Sequence, residues 1–428
     1  MAENNVLKCR FCGATLNNIF ADLGVQPVCE SYLEKDQLNK AERFYPLIVY
    51  VCEKCFLVQL KDALSPEEIF DEYAYFSSHS KGWMTHVENY SEMITNKLGL
   101  DNRRKVVEIG SNDGYLLQFF SHRNIPVLGV EPARNVAKNA IENGIPTFTK
   151  FFGTETSREL LKLNGQADLL IANNILAQVP DINGFVEGLK VLLKPSGIIT
   201  VEFHHLLNLI KNNQFDTICH ERFSYLSLFV VEKILASHGL TIFDVEEFPT
   251  HGGSLRIFVR HNEDQSKPIT SNVDKLRKKE KASGLEEIRT YRSFSDNVRR
   301  TKRNILGLLI KIRNSGKSVV AYGAHAEAHT FLNYCGLTSD FLDYAVDRNP
   351  AKQKKFIAGV RVPIFNPDKI EETKPSYLLI LPWSIKKEIM SQLSYIGNWG
   401  GKFIMAIPKL ALYDSNALEI EKEKEEIE

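Results

Sequence analysis

The chain has 428 residues, 43% hydrophobic and 25% charged, which is a globular composition spread over more length than one ordinary core uses. Lys+Arg and Asp+Glu both number 53, so no global charge draws the protein to nucleic acid or to an anionic membrane, and neither is expected as a partner. No apolar run reaches about 18 residues and no charged-then-apolar leader is present, so the expected compartment is the cytoplasm. There, seven cysteines read as thiols and metal ligands rather than as a secretory disulfide frame.

Cys9 and Cys12 (KCRFCG) are followed much later by Cys52 and Cys55 (VCEKCF). Each CxxC curls so that two thiolates reach one cation, and two such knuckles complete the closed tetrahedral set of a structural zinc site. A redox pair is the other reading, but no thioredoxin-like pattern surrounds either motif. Cys29 reads as a small packed residue. From Phe70 to Met93 the chain is dense in rings, with Tyr73, Tyr75, Phe76, Trp83, His86 and Tyr90, expected as a connecting helix whose aromatic face packs on the next domain.

VVEIGSNDGYLL, from Val106 to Leu117, reads as a strand, a small-residue turn and a helix beginning near Tyr115. Gly110 and Gly114 allow close backbone approach, and the helix start offers free N–H groups. A strand closing on Glu108 fits the first motif of Rossmann-like methyltransferases better than the GxGxxG of dinucleotide binders. Strands and helices then alternate to about Arg260, which implies a parallel sheet with helices on both faces. Glu131, with Pro132 beside it, ends the second strand, where an acid can accept from both ribose hydroxyls of an adenosyl group. Asn173 and Asn174 end the fourth strand at the same crevice.

Two polar clusters follow: His204 and His205, then Cys219, His220, Glu221, Arg222 and Tyr225, with His251 beyond them beside two glycines. Ionisable groups in loops after nucleotide strands are candidates for chemistry. KLRKKEKASGLEEIRTYRSF reads as an exposed charged helix, its basic residues interrupted by Glu280, Glu286 and Glu287. Val298, Ile305, Leu309 and Ile312 recur at helical spacing and should face a core. A second strand, glycine turn and helix starts after Lys317, with Tyr322 and Gly323 at the turn, and three more strands follow. ALEIEKEKEEIE reads as a frayed charged helix.

Together these motifs resemble the zinc-containing, S-adenosylmethionine-dependent C-methyltransferases that act on nucleotide-linked deoxysugars. The likeness spans almost the whole chain through YFSSHS, VEIGSNDGYLL, GVEPA, NNILAQVPD, HERFSYLS, HGGSLRIF, VVAYGA, LNYCG and VDRNP. It implies an α/β fold. A zinc-binding lobe (1–66) precedes a Rossmann-like methyltransferase domain with its aromatic lead-in helix (67–260). A helical connector (261–316), a second Rossmann-like domain (317–414) and a charged tail (415–428) follow.

The resemblance also implies the reaction: a carbon beside the ketone of a nucleotide-linked keto-deoxysugar, typically C3, loses its proton, and the enolate takes the methyl group. Glu108, Gly110, Asn112, Gly114, Glu131, Pro132, Asn173 and Asn174 would hold the cofactor, and Gln178, His251, Tyr322 and Gly323 the acceptor. Tyr75, His220, Glu221 and Arg222 fall in the catalytic motifs. The chain departs from the family at Gln178, where the family has histidine, at Cys219 in place of tyrosine, and at Arg222 in place of the favoured base. Arginine stays protonated and cannot abstract a proton, so the base is expected to move to His220 or Glu221, with Arg222 stabilising the enolate. In the second glycine turn Glu327 and Ala328 replace the family's cation and glycine. An oxygen or nitrogen acceptor, or a non-catalytic binding role, is the alternative to a carbon acceptor; the residues leave monomer and homodimer equally open.

Overall fold

Buried β-branched runs alternate with amphipathic helices between residues 106 and 261, and in a computed structural model they close into one sheet. The structure describes residues 6–61, 64–70, 76–79 and 81–415. Tyr73, Tyr75 and the expected tail helix lie outside the described residues. The described chain forms two units, each assembled from separated segments: Met1–Asn18, Val51–Leu207 and Arg222–Ile288 in the first, Ile19–Tyr50, Asn208–Glu221 and Arg289–Glu428 in the second.

In the first unit the described strands run across the sheet as Leu240–Phe248, Ser254–His261, Leu193–His204, Ala167–Asn173, Val106–Ile109, Val127–Val130 and Thr147–Phe148. The last five are parallel. Leu240–Phe248 and Ser254–His261 form an antiparallel pair at one edge. Ala167–Asn173 is buried at every position, as a central strand covered on both faces must be. Strand order reverses beside Val106–Ile109, and such a switch point opens a crevice beyond the carboxyl ends of the strands.

Helix Ile182–Leu192 buries Ile182, Phe185, Val186, Leu189 and Leu192, one apolar stripe at helical spacing. It starts at Asp181, whose carboxylate accepts from the Gly184 N–H at 2.9 Å. The helix expected from Tyr115 begins instead at Leu117 and ends at Ser121. The Gly114 N–H is taken by the Ser111 carbonyl, which tightens the turn past the expected start.

The expected exposed charged helix is two helices, Ser271–Ala282 and Ile288–Asn314, parted where Gly284 adopts φ +78°. Glu280 is not a solvated charge: only 1% of it is exposed. It accepts from the Leu228 and Phe229 N–H groups at 2.7 and 2.9 Å, at the start of helix Leu228–Ser237, and lies 2.7 Å from His205 Nε2. A helix start leaves N–H groups without partners, and this buried carboxylate satisfies two of them.

In the second unit, parallel strands run in the order Ile364–Phe365, Ala345–Val346, Val319–Tyr322, Tyr377–Ile380 and Lys402–Met405, with Ala411–Asp414 antiparallel at the edge. Helix Ile288–Asn314 buries Val298, Ile305, Leu309 and Ile312, as their spacing predicts. Phe20 stacks on its Phe294 at 4.4 Å, which ties the early segment into this unit. Among the described residues no helix is long and apolar enough to cross a membrane.

Candidate active site and metal centre

The Sγ atoms of Cys9, Cys12, Cys52 and Cys55 all lie within 4.8 Å of one another. Cys9 to Cys55 and Cys12 to Cys52 are each 3.6 Å apart. A zinc tetrahedron with bonds of about 2.3 Å has sulfur–sulfur edges of about 3.8 Å, so the set fits that ion. The knuckles share one backbone plan. Gly13 and Phe56, each just after the second cysteine, take φ +70° and +66°, and their N–H groups donate to the Cys9 and Cys52 carbonyls. Gln59 Nε2 donates to Cys9 Sγ at 3.2 Å, an outer contact that orients a ligand.

The lobe around the metal centre contacts two later segments of the first unit. Arg10 donates to the Pro180 carbonyl at 2.8 Å, and strand Val58–Leu60 pairs with Ser224–Tyr225, two residues beyond Arg222. Cys29 is buried in the second unit, where its thiol lies 3.5 Å from Glu221 Oε1 and beside Cys219, as a packed residue rather than a ligand.

The candidate cofactor crevice lies around the turn after Val106–Ile109. Gly110, Asn112 and Gly114 have φ of +71°, +49° and +79°. Gly110 is needed for a reason the motif does not reveal: a Cβ there would come within 2.2 Å of the Ile175 side chain, so a neighbouring loop uses the space. Glu108 is fully buried, and burial pushes it well above the usual carboxylate range against a hydrogen bond from Tyr115. Asn173 and Asn174, at the carboxyl end of the fourth strand, each hold a buried Oδ1 that has no partner among the described residues. Unpaired buried acceptors at a switch point fit a ligand rich in donors, such as the ammonium and hydroxyl groups of S-adenosylmethionine.

Glu131 accepts from the N–H groups of Asn112 and Ala133, both at 2.9 Å, which leaves each oxygen a second lone pair. Burial lifts its pKa to about 7 against those two bonds. Pro132 follows it, half-buried. Two contributors escaped the motif reading: Ser77 N–H donates to Asn112 Oδ1 at 3.0 Å, and Ser78 Oγ to Asp113 Oδ2 at 2.5 Å. Their signal was present in YFSSHS, which therefore bears on the cofactor turn. Tyr75, in the same motif, lies outside the described residues.

A line of rings leads away from this turn in the first unit. Tyr115 lies 6.2 Å from Trp83, Trp83 lies 5.4 Å from His251, and His251 stacks on His204 at 5.1 Å. Arg222 Nη1 is 3.2 Å from His204 Nδ1. His251 is exposed and takes φ +53°, which places an imidazole on a strained turn. Gln178 is half-buried in the short turn Leu176–Gln178 that follows the paired asparagines.

Beside Trp83, His86 Nε2 contacts Glu202 at 2.9 Å, and Arg256, clamped between the Tyr90 and Phe248 rings, donates to it at 2.8 Å. Burial pushes Glu202 up, but His86 and Arg256 outweigh it and hold the carboxyl below its usual range. This buried network is the third feature that spacing did not expose.

His220 and Glu221 belong to the second unit. Burial depresses His220 below an ordinary histidine, although backbone bonds to Tyr45 and Pro46 act the other way. Among the described residues its buried Nε2 has no partner, so the proton engaged by backbone sits on Nδ1 and the lone pair on Nε2. Tyr322 ends strand Val319–Tyr322, and Gly323, at φ +96°, leaves room for Pro382, which a Cβ would meet at 2.8 Å. In the same turn His325 Nε2 lies 3.5 Å from the Glu327 carboxylate, so the two groups face each other.

Comparison with known proteins covers the same three parts. Residues 9–70 match the family described as a zinc binding domain, residues 84–245 a methyltransferase domain and residues 249–408 a C-methyltransferase C-terminal domain. C-methyltransferase NovU of Streptomyces niveus is 33% identical over 402 residues, 94% of this chain and 96% of its own. Ubiquinone biosynthesis O-methyltransferase of Haemophilus ducreyi is 29% identical over 106 residues, 22% of this chain and 43% of that protein. Among solved structures, the PH0226 protein of Pyrococcus horikoshii OT3 aligns with TM-score 0.37 at 15% identity over 46% of this chain and 97% of that one, too slight a likeness to carry an argument. The full-length relative shares this chain's span from metal centre to C-terminal sheet, and the chain belongs to the zinc-containing, S-adenosylmethionine-dependent C-methyltransferases.

Proposed function

We propose that this C-methyltransferase acts in the cytoplasm on a nucleotide-linked keto-deoxysugar, methylating the carbon next to the ketone, C3, through an enolate. The observation that carries this reading is His220, a neutral imidazole whose buried Nε2 lone pair has no partner among the described residues. A carbon acid is what such a base is needed for. The relative that matches along the whole chain is itself called a C-methyltransferase, and the ordered motifs from YFSSHS to VDRNP support the sugar.

When bound, S-adenosylmethionine supplies a methyl group made electrophilic by its sulfonium. Glu131 would hold the ribose hydroxyls, Glu108 and the paired asparagines the amino-acid end, and the Gly110–Gly114 turn would admit the cofactor close to the backbone. His220 takes the proton from the sugar carbon. Arg222, two residues on, supplies positive charge for the oxygen, and Tyr75 donates to or relays from the sugar hydroxyl. Gln178, His251, Tyr322 and Gly323 are the residues that the family likeness assigns to the acceptor.

Incubation with S-adenosylmethionine and a panel of nucleotide-linked 4-keto-6-deoxyhexoses in deuterated water tests this. Mass spectrometry and carbon NMR should find the new methyl on C3, with His220→Ala abolishing both methylation and solvent exchange at that carbon. A methyl found on oxygen or nitrogen would favour the other acceptor class. Full exchange in the His220→Ala, Glu221→Gln double variant would rule out both residues as base.

A further inference from the structure

His204 closes strand Leu193–His204 at the carboxyl edge of the sheet, half-buried, on the side where ligands of such folds bind. Its Nδ1 is held 3.2 Å from Arg222 Nη1. A guanidinium has donors only and keeps its proton, so Nδ1 must offer a lone pair and the imidazole hydrogen must sit on Nε2. Burial, then Arg222, then His251 keep the ring neutral well below the pH at which an ordinary histidine charges. The plane of the ring is fixed by His251, stacked at 5.1 Å and 19°.

We propose that the Nε2–H of His204 is the donor that receives the oxyanion formed when the acceptor carbon is deprotonated, with Arg222 as the positioning residue that locks its tautomer. This rests on the carbon-acid reading above and replaces direct contact of Arg222 with the oxygen. In the step, the C–H bond breaks and the base keeps the proton. The electron pair becomes the C=C bond, and the carbonyl π pair moves to oxygen, which accepts from His204. As the ketone re-forms, the carbon bonds to the methyl, and the C–S pair returns to sulfur. A preorganised donor aimed at a developing oxyanion is worth about 10²–10³ in rate, and a neutral one does not trap the ground-state ketone as an ion would.

Two measurements on the full chain test it. Nitrogen NMR of protein labelled with ¹⁵N-histidine, with the signal assigned by loss in His204→Phe, should show a neutral Nε2–H ring from pH 6 to 8. In Arg222→Gln that ring should mix tautomers and begin to titrate. An Nδ1–H or charged ring in the wild type overturns the assignment, and so does a spectrum that Arg222→Gln leaves unchanged.

Turnover of a thymidine-diphosphate-linked 4-keto-6-deoxyhexose should fall about 10²-fold in kcat in His204→Phe, which keeps the stacked ring, with KM within about threefold. His204→Gln, which returns a neutral donor at similar reach, should recover about tenfold. A His204→Phe enzyme within about threefold of wild-type kcat refutes the role. If the wild-type protein methylates no keto-sugar, the acceptor reading and the oxyanion role fail together, while the nitrogen spectrum still decides the tautomer.

Discussion

Glu131 links cofactor binding to pH in a way that can be worked through. Its carboxyl is buried, and burial lifts its pKa from the ordinary 4.5 to about 7. The sign for stability follows from the raised value: the neutral carboxyl is fully tolerated below the unfolded pKa, and that advantage is lost as pH rises through about 7. The shift corresponds to about 3 kcal/mol for the protein without cofactor, as an order of magnitude. Binding has the opposite sign. Two ribose hydroxyls donating to the two oxygens favour the carboxylate, so the bound state holds the charge and binding releases a proton when Glu131 starts neutral. S-adenosylhomocysteine affinity should fall about fivefold from pH 7 to 6 and about tenfold more from 6 to 5. Asp113 and Glu108 are the other acids that face this carboxyl, so Glu131→Gln isolates its share. Isothermal titration calorimetry in two buffers of different ionisation enthalpy reads both affinity and proton release. A flat wild-type profile, or an unchanged slope in Glu131→Gln, would refute the reasoning.

The metal centre predicts that the purified chain carries one zinc and that Cys52→Ser loses it, with the melting temperature down by roughly 10 °C; an unchanged melt in the zinc-free variant counts against a structural metal. Gly110→Ala should destabilise by about 2–4 kcal/mol, since its Cβ meets Ile175 and its φ is positive. In an Ile175→Ala background the same Gly110→Ala change should cost only about 1 kcal/mol, read by urea unfolding against the Ile175→Ala single variant; a neutral Gly110→Ala shows that the contact is absent. Glu280→Ala strands two N–H groups and His205 in the interior, and should cost about 3–5 kcal/mol in chemical unfolding. A change within about 0.5 kcal/mol would mean that Glu280 is solvated after all.

Local pattern alone reached far into this protein. Two CxxC pairs specify four thiolates for one ion because the ligands of each knuckle are neighbours in the chain. Glu108, the glycine turn and Glu131 announce a nucleotide crevice because each sits at a strand end fixed by short-range periodicity, and Val298 to Ile312 declare a buried stripe for the same reason. Glu280 was misread as solvated because its charged neighbours set the local pattern, whereas its partners are a helix start and a histidine far away in sequence. Gly110 reads locally as a place of ligand approach, and no local pattern shows that Ile175 packs against the same position. His204 and Arg222 were visible as separate ionisable residues, and Cys219 and Gln178 as departures, but no spacing rule pairs positions 204 and 222. Residues 19–50 and 208–221 join the C-terminal sheet in one unit only once the chain has folded. Sequence by itself determined the ligands and turns whose parts lie within a few residues of one another. Tertiary structure decided which buried polar groups meet, and so which imidazole holds a lone pair and which a proton, because those contacts depend on how distant segments pack rather than on what stands beside them in the chain.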